Sequence, residues 1–168
     1  MEIRQLVASD AEAFWEIRPR ALQEHPEAFI DDYEAEAGKT VEQAAEQLAA
    51  ATMENLYLGA FKDGRLVGMA HFYRQEGSKL RHRALIGGMY VAPEMRGRGT
   101  GKALLERCIQ HARSLPDLED LVLWVILGNE RAKALYEAAG FEVFCIEPRA
   151  FKIEERYYDA AGMIMKLY

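Results

Sequence analysis

The stretch Met89-Tyr-Val-Ala-Pro-Glu-Met-Arg-Gly-Arg-Gly-Thr-Gly-Lys-Ala-Leu-Leu105 passes from a strand, through a glycine-rich turn, into an amphipathic helix. Gly97, Gly99 and Gly101 alternate with Arg98 and Thr100. With no Cβ at alternate positions, backbone N–H groups can come close to a bulky anion. The helix start adds unpaired N–H donors and the positive end of a dipole. The stretch therefore reads as a phosphate cradle. Two familiar cradles fail on particular residues. A Walker A loop, G-x-x-x-x-G-K-S/T, would need glycine where Arg96 stands and a hydroxyl where Ala103 stands. A dinucleotide fingerprint, G-x-G-x-x-G, would need glycine at Lys102 or Leu104.

Working upstream, residues 56–62, 65–75 and 81–91 read as three strands of an antiparallel meander, with Asp63-Gly64 as a hairpin signal. Gly87-Gly88 interrupts the third strand, where paired glycines mark a bulge or a close backbone approach. Further back lie a short strand over 2–7, a helix capped at Ser9-Asp10 and a second helix over 40–51. In the first helix Phe14, Ile17, Ala21 and Leu22 recur at helical spacing, and Pro19 predicts a kink or a split. Downstream, the helix after the glycine turn reaches Ser114 and buries Leu104, Leu105, Cys108, Ile109 and Ala112. Residues 121–126 are continuously apolar, as in a strand covered on both faces. Asn129 caps a helix over 130–139, and Gly140 ends it. A strand over 141–146 should stop at Pro148, and 156–167 closes the sheet. The fold class is α+β: a mixed, mostly antiparallel twisted sheet with helices on both faces.

The 168 residues, half of them hydrophobic, suit one domain spanning 1–168. A formal net charge of -6 argues against a nucleic-acid partner. Cys108 and Cys145 form no CxxC pair and read as buried reduced thiols, so no metal is expected. The N-terminal Met1-Glu-Ile-Arg-Gln-Leu carries charges where a signal peptide needs an apolar run, and nothing approaches the ~18 apolar residues of a membrane span. A cytoplasmic chain with no membrane partner is expected. Residues 24–54 are acidic, which reads either as a solvated helix surface or as a rim that attracts a cationic substrate.

The segment Arg96-Gly97-Arg98-Gly99-Thr100-Gly101 fits the pattern Q/R-x-x-G-x-G/A of the coenzyme A site in the GNAT superfamily of N-acetyltransferases. Val91-x-Pro93 before it and Ala103-Leu104-Leu105 after it fit as well. Asn129-x-x-Ala132-x-x-Leu135-Tyr136-x-x-x-Gly140-Phe141 resembles that superfamily's fourth-helix signature. The resemblance covers residues 55–147 well and the N-terminal helices in layout only.

The resemblance implies a GNAT-like acyl-CoA N-acyltransferase fold and acetyl-CoA as co-substrate. The pyrophosphate would sit on N–H groups from Gly97 to Lys102, with Arg96, Arg98 and Lys102 nearby. The fourth strand would carry a bulge and splay from the fifth, and the pantetheine arm would pair with Met89, Tyr90 and Val91. Asn129 matches a contact to that arm. Tyr136 matches the proton donor to the departing thiolate, and a phenol with a reference pKa of about 10 holds its proton at neutral pH. Some relatives place a carboxylate base five residues before the Asn; here Trp124 stands there. His71, on a strand face with Val67, Met69 and Tyr73, and Glu34 are the candidate bases. The implied reaction is direct acetyl transfer to a small-molecule amine in a ternary complex. A protein or peptide acceptor, a non-catalytic acyl-CoA-binding module and a homodimer remain open.

Overall fold

The computed structural model describes residues 1–29, 31 and 33–168. Its elements are β1 (Glu2–Gln5), α1 (Ala11–Glu24), α2 (Tyr33–Ala37), α3 (Val41–Ala49), β2 (Asn55–Lys62), β3 (Arg65–Arg74), β4 (Arg83–Val91), α4 (Thr100–Ser114), β5 (Asp120–Ile126), α5 (Glu130–Ala139), β6 (Glu142–Ile153) and β7 (Arg156–Lys166). The strands form one sheet in the order β1-β2-β3-β4-β5-β7-β6. Every neighbouring pair is antiparallel except β4 and β5.

Local chemistry sets many of the boundaries. Asp63 and Gly64 both have positive φ (50° and 77°), as a two-residue turn between twisted strands requires. At the start of α3, Thr40 Oγ1 accepts from the Gln43 N–H at 3.2 Å, and Gln43 Oε1 accepts from the Thr40 N–H at 2.9 Å. Asn129 Oδ1 accepts from the Ala132 N–H at 3.1 Å, and Gly140 leaves α5 at φ 102°.

Four expectations need correction. Pro19 does not split α1, which runs unbroken from Ala11 to Glu24 with Phe14, Ile17, Ala21 and Leu22 buried on both sides of it. Asp10 precedes α1 but does not cap it with its side chain; the carboxylate instead accepts from Arg4 at 2.7 Å and from the Val7 N–H at 2.9 Å. Pro148 does not end β6. The register against β7 shifts between Glu147 and Phe151, so the missing N–H falls in a bulge, where Arg149 turns to φ 55° and its N–H donates to Asp159 Oδ1 at 2.8 Å. Residues 121–126 are not fully covered, since Trp124 is 38 % exposed.

Two apolar cores lie on opposite faces of the sheet. One packs α4 and α5 against Leu56, Leu58, Ala84, Ile86, Leu121 and Leu123. The other packs α1 and α3 against Tyr57, Phe61, Met69 and Tyr90. Each fully buried Leu or Phe contributes roughly 1.5–3 kcal/mol by leaving water. Ala84 and Ile86 face the first core and Tyr90 the second, although all three are even-numbered. An inserted residue between them reverses the alternation. None of the helices described is long and apolar enough to cross a membrane.

Candidate functional site

The inserted residue lies in the second half of β4. Met69 of β3 faces Tyr90, but His71 faces Gly87, so two steps on β3 span three on β4. Gly88 takes φ 56° within this bulge, a conformation that a residue with a Cβ adopts only at a cost. The expected bulge is therefore present. Parallel pairing to β5 covers only Arg83–Leu85 against Asp120–Val122. From Ile86 onward, β4 has no ladder partner on its β5 side, and β5 continues with β7 alone. That opens a backbone edge carrying Met89, Tyr90 and Val91 toward a cavity of about 580 Å³. The volume falls within the range usual for small-molecule sites.

The glycine turn forms the cavity's second wall. Gly97 and Gly99 have φ of 74° and 81°, and Gly99 directly precedes the first residue of α4. A Cβ built on Gly99 would meet nothing within 4 Å, so backbone conformation, not crowding, selects glycine there. Gly97, Gly99, Thr100, Gly101 and Lys102 all line the cavity. The α4 N-terminus, free N–H groups at glycines and open space beside them suit a phosphate. The free edge of β4 suits an extended arm that adds a strand. The residues present thus fit coenzyme A.

The cations divide. Lys102 lines the cavity with its side chain 71 % exposed and an ion pair to Glu106 at 3.7 Å. Arg98 is exposed and does not line the cavity. Arg96 lines it, but its guanidinium is engaged: Nε donates to the Val91 carbonyl at 2.9 Å, and Nη2 lies 3.4 Å from Glu24 and 3.0 Å from His25 Nε2. Glu24 also accepts from the Tyr90 hydroxyl at 2.8 Å and from Arg20 at 2.8 Å. Burial opposes ionisation of Glu24, but the hydrogen bonds from Tyr90 and Arg20 prevail and hold its carboxyl below the usual range. Burial, helped by that carboxylate, pushes Tyr90 up to about 12. Arg96 thus ties the turn to α1 and β4.

Tyr136 and Asn129 line the cavity from α5. The Tyr136 hydroxyl donates to Met89 Sδ at 3.8 Å, a weak acceptor. Burial first, and the neighbouring Cys108 second, push Tyr136 up to about 12. Asn129 serves as helix cap and cavity wall together.

His71 is not brought into the cavity. Its Nε2 lies 2.7 Å from Asn55 Oδ1, and its ring stacks on Tyr57 at 4.2 Å. Burial, followed by the charge of Arg18, lowers its pKa to about 4. Glu34 is exposed on α2 and also lies outside the cavity lining. Asp32, within the acidic run, lies outside the described residues. Cys108 and Cys145 are free; Cys108 is buried, which raises its thiol to about 12, whereas Cys145 is only half-buried, against the expectation of two buried thiols. Among the described residues, no group of three or more His, Cys, Asp or Glu side chains could hold a metal.

Among the further lining residues, sequence reasoning assigned no role to His25, Phe29 or Arg131, nor to Arg18 behind the bulge. Arg18 left a readable signal. It stands four residues from Phe14 and from Leu22, on the helix's apolar stripe, where an arginine must find a buried role.

Comparison with known proteins agrees with this geometry. The model of the acetyltransferase (GNAT) family matches residues 11–141. A mycothiol acetyltransferase from Propionibacterium freudenreichii is 34% identical over 118 residues, covering 69% of this chain and 37% of that protein. A spermidine N(1)-acetyltransferase from Vibrio cholerae is 32% identical over 84 residues, covering 49% of this chain and 47% of that protein. The chain therefore spans less than half the length of each of these relatives. The structure of yncA from Salmonella typhimurium, solved with its cofactor acetyl-CoA, superposes with a TM-score of 0.84 at 24% identity, covering 99% of this chain and 94% of that one. That likeness shows a shared fold.

Proposed function

The chain belongs to the acetyltransferase (GNAT) family, and on that footing we propose that it moves an acetyl group from acetyl-CoA to the primary amine of a small molecule, directly, in one ternary complex. One observation carries the proposal: the glycine turn, the free edge of β4 and the Tyr136 hydroxyl meet in a single cavity. The relatives' names, which cite mycothiol in one case and spermidine in the other, support a small acceptor. Within residues 1–168 we read one catalytic domain built on one continuous sheet.

In this reading the N–H groups from Gly97 to Lys102 hold the pyrophosphate, with Lys102 as the nearby cation. Met89, Tyr90 and Val91 hold the pantetheine arm along the free strand edge. Arg96 positions the turn through Val91 and Glu24, and Asn129 closes the far side. Bound acetyl-CoA supplies a thioester whose acetyl carbon an amine can attack. A backbone N–H of the β4 edge, fixed by the sheet, stabilises negative charge as it develops on the carbonyl oxygen.

Tyr136 acts at the leaving sulfur. A phenol near 12 remains protonated at every physiological pH, so its hydroxyl is always a donor. Complete transfer to a thiolate, whose thiol has a reference pKa of about 8.5, would run uphill by roughly three units. The hydroxyl's contribution is therefore a hydrogen bond to the developing charge, and the proton that the amine loses completes the thiol. His71, near 4, is too weak a base to take that proton at neutral pH. The amine then enters neutral, or sheds its proton to water.

The test is thiol release from acetyl-CoA over a panel of small amines, alongside calorimetric binding of acetyl-CoA. Saturable binding with amine-dependent thiol release is expected. Binding with no release on any amine or peptide would replace the enzyme by an acyl-CoA-binding module. Release with peptides alone would move the acceptor to protein.

A further inference from the structure

Among the described residues, one buried group on the α1 side of β4 lacks a partner. Arg18 is 4 % exposed. Its Nε pairs with Glu36 at 3.3 Å, and its Nη2 pairs with Asp31. Lys39 also reaches Glu36, at 2.5 Å. In this cluster, the cations Arg18 and Lys39 balance the carboxylates Asp31 and Glu36. What is left over is a donor, because Arg18 Nη1 is buried with no hydrogen-bond partner among the described residues. An unmet buried N–H costs about 1–3 kcal/mol. The group that would relieve that cost must bring an acceptor atom.

The orphan donor's position is specific. A Cβ built on Gly88 would lie 3.1 Å from Nη1, so the donor stands against the β4 bulge. Met89, the next residue, lines the cavity. Phe29 also lines it, and its ring lies 5.8 Å from the Arg18 guanidinium, so one side chain stands beside both donor and cavity. His71 is part of the surroundings, with its Cβ 3.7 Å from the same built atom. Burial, and after it the charge of Arg18, lowers its pKa to about 4, so at neutral pH His71 brings no charge of its own to the bulge.

We propose that Arg18 Nη1 recognises the acceptor, and that the acceptor is a small amine bearing a carboxylate or similar oxyanion close to the amine, as an amino acid does. This rests on the acetyltransferase reading. Within the acidic run, Asp31 and Glu36 are engaged by Arg18 and Lys39 and are not free to draw in a polyamine.

The experiment compares standard L-amino acids, their C-terminal amides and spermidine as acceptors for the unaltered chain, by thiol release from acetyl-CoA. The best amino acid should exceed its own amide by about 10- to 100-fold in kcat/KM, the range of one charge-assisted hydrogen bond. Arg18→Lys keeps a charge against Glu36 but withdraws the Nη1 donor. It should bring that ratio within about 3-fold of unity while the Kd for acetyl-CoA stays unchanged. An amide or spermidine matching the acid in the unaltered chain would overturn the proposal, as would a full ratio in Arg18→Lys. If that variant fails to fold, the acid–amide pair on the unaltered chain decides alone. Failure of acetyl-CoA to bind, or to release thiol with any amine, would bring down the acetyltransferase reading and this proposal with it. Release without carboxylate preference would overturn this proposal only.

Discussion

The glycine turn and the Arg18 cluster both abut the second half of β4, yet they are built from different material. The turn presents backbone: contiguous residues, positive φ at Gly97 and Gly99, and an α4 start with open space beside it. The cluster presents side chains drawn from separate segments, with Arg18 reaching partners 13 and 18 positions away. A backbone-made site needs only a local sequence that can adopt the turn, so it tolerates change elsewhere. A side-chain-made site depends on how distant elements pack, so it can be rebuilt to suit a new acceptor. On the proposals above, the first kind of site would serve a co-substrate shared across a family, and the second a substrate that differs between members.

The contrast can be broken at its chemical centre first. Tyr136→Phe removes only the hydroxyl that faces Met89 Sδ. Turnover on the true acceptor should fall by about 100-fold, within the range for losing one hydrogen bond to developing charge, while acetyl-CoA binds within about 2-fold of the unaltered chain. Steady-state thiol release and calorimetry together check this; unchanged turnover would remove Tyr136 from the mechanism.

The backbone character of the turn comes next. Gly99→Val forces a β-branched residue to φ 81° and should weaken acetyl-CoA binding by about 10-fold or more. Lys102→Ala removes an exposed cation and should cost about 3-fold at most. Calorimetric Kd values in the reverse order would mean that side-chain charge, not backbone, holds the phosphates.

The smallest effect lies beside the cluster. Folded His71 titrates near 4 against an ordinary value of 6.5. Between those values the unfolded chain takes up a proton that the folded chain refuses. Stability should therefore fall as pH drops from 6.5 toward 4 and level off below. His71→Gln should flatten that part of the curve in thermal melts at pH 7, 5.5 and 4.5, and leave activity at neutral pH nearly intact. An unaltered slope would show that His71 is not the group responsible.

The same contrast explains what the sequence disclosed. Alternating glycines after a strand, Asn129 as cap and Gly140 as stop are short-range signals, and each lies where the residues alone placed it. The Gly87-Gly88 bulge was legible because paired glycines weaken a strand, but its consequence was not. Turning Tyr90 to the α1 face, where it meets Glu24, follows from register against β3. Pro19 and Pro148 misled for one reason: local propensity favoured a break, and tertiary packing or a bulge absorbed it. Arg96 looked like a free phosphate ligand because neither Glu24 nor His25 is near it in sequence. Arg18 could have been found by asking why an arginine stands on an apolar stripe.

The central claim is that one cavity holds acetyl-CoA between the glycine turn and the splayed edge of β4. Hydrogen exchange by mass spectrometry, with and without saturating acetyl-CoA, tests it most directly. Slowed exchange should appear together in peptides covering residues 89–91 and 97–102, with α3 and β1 unchanged. Saturation without slowing at both places, or slowing confined to α1 and α2, would contradict it.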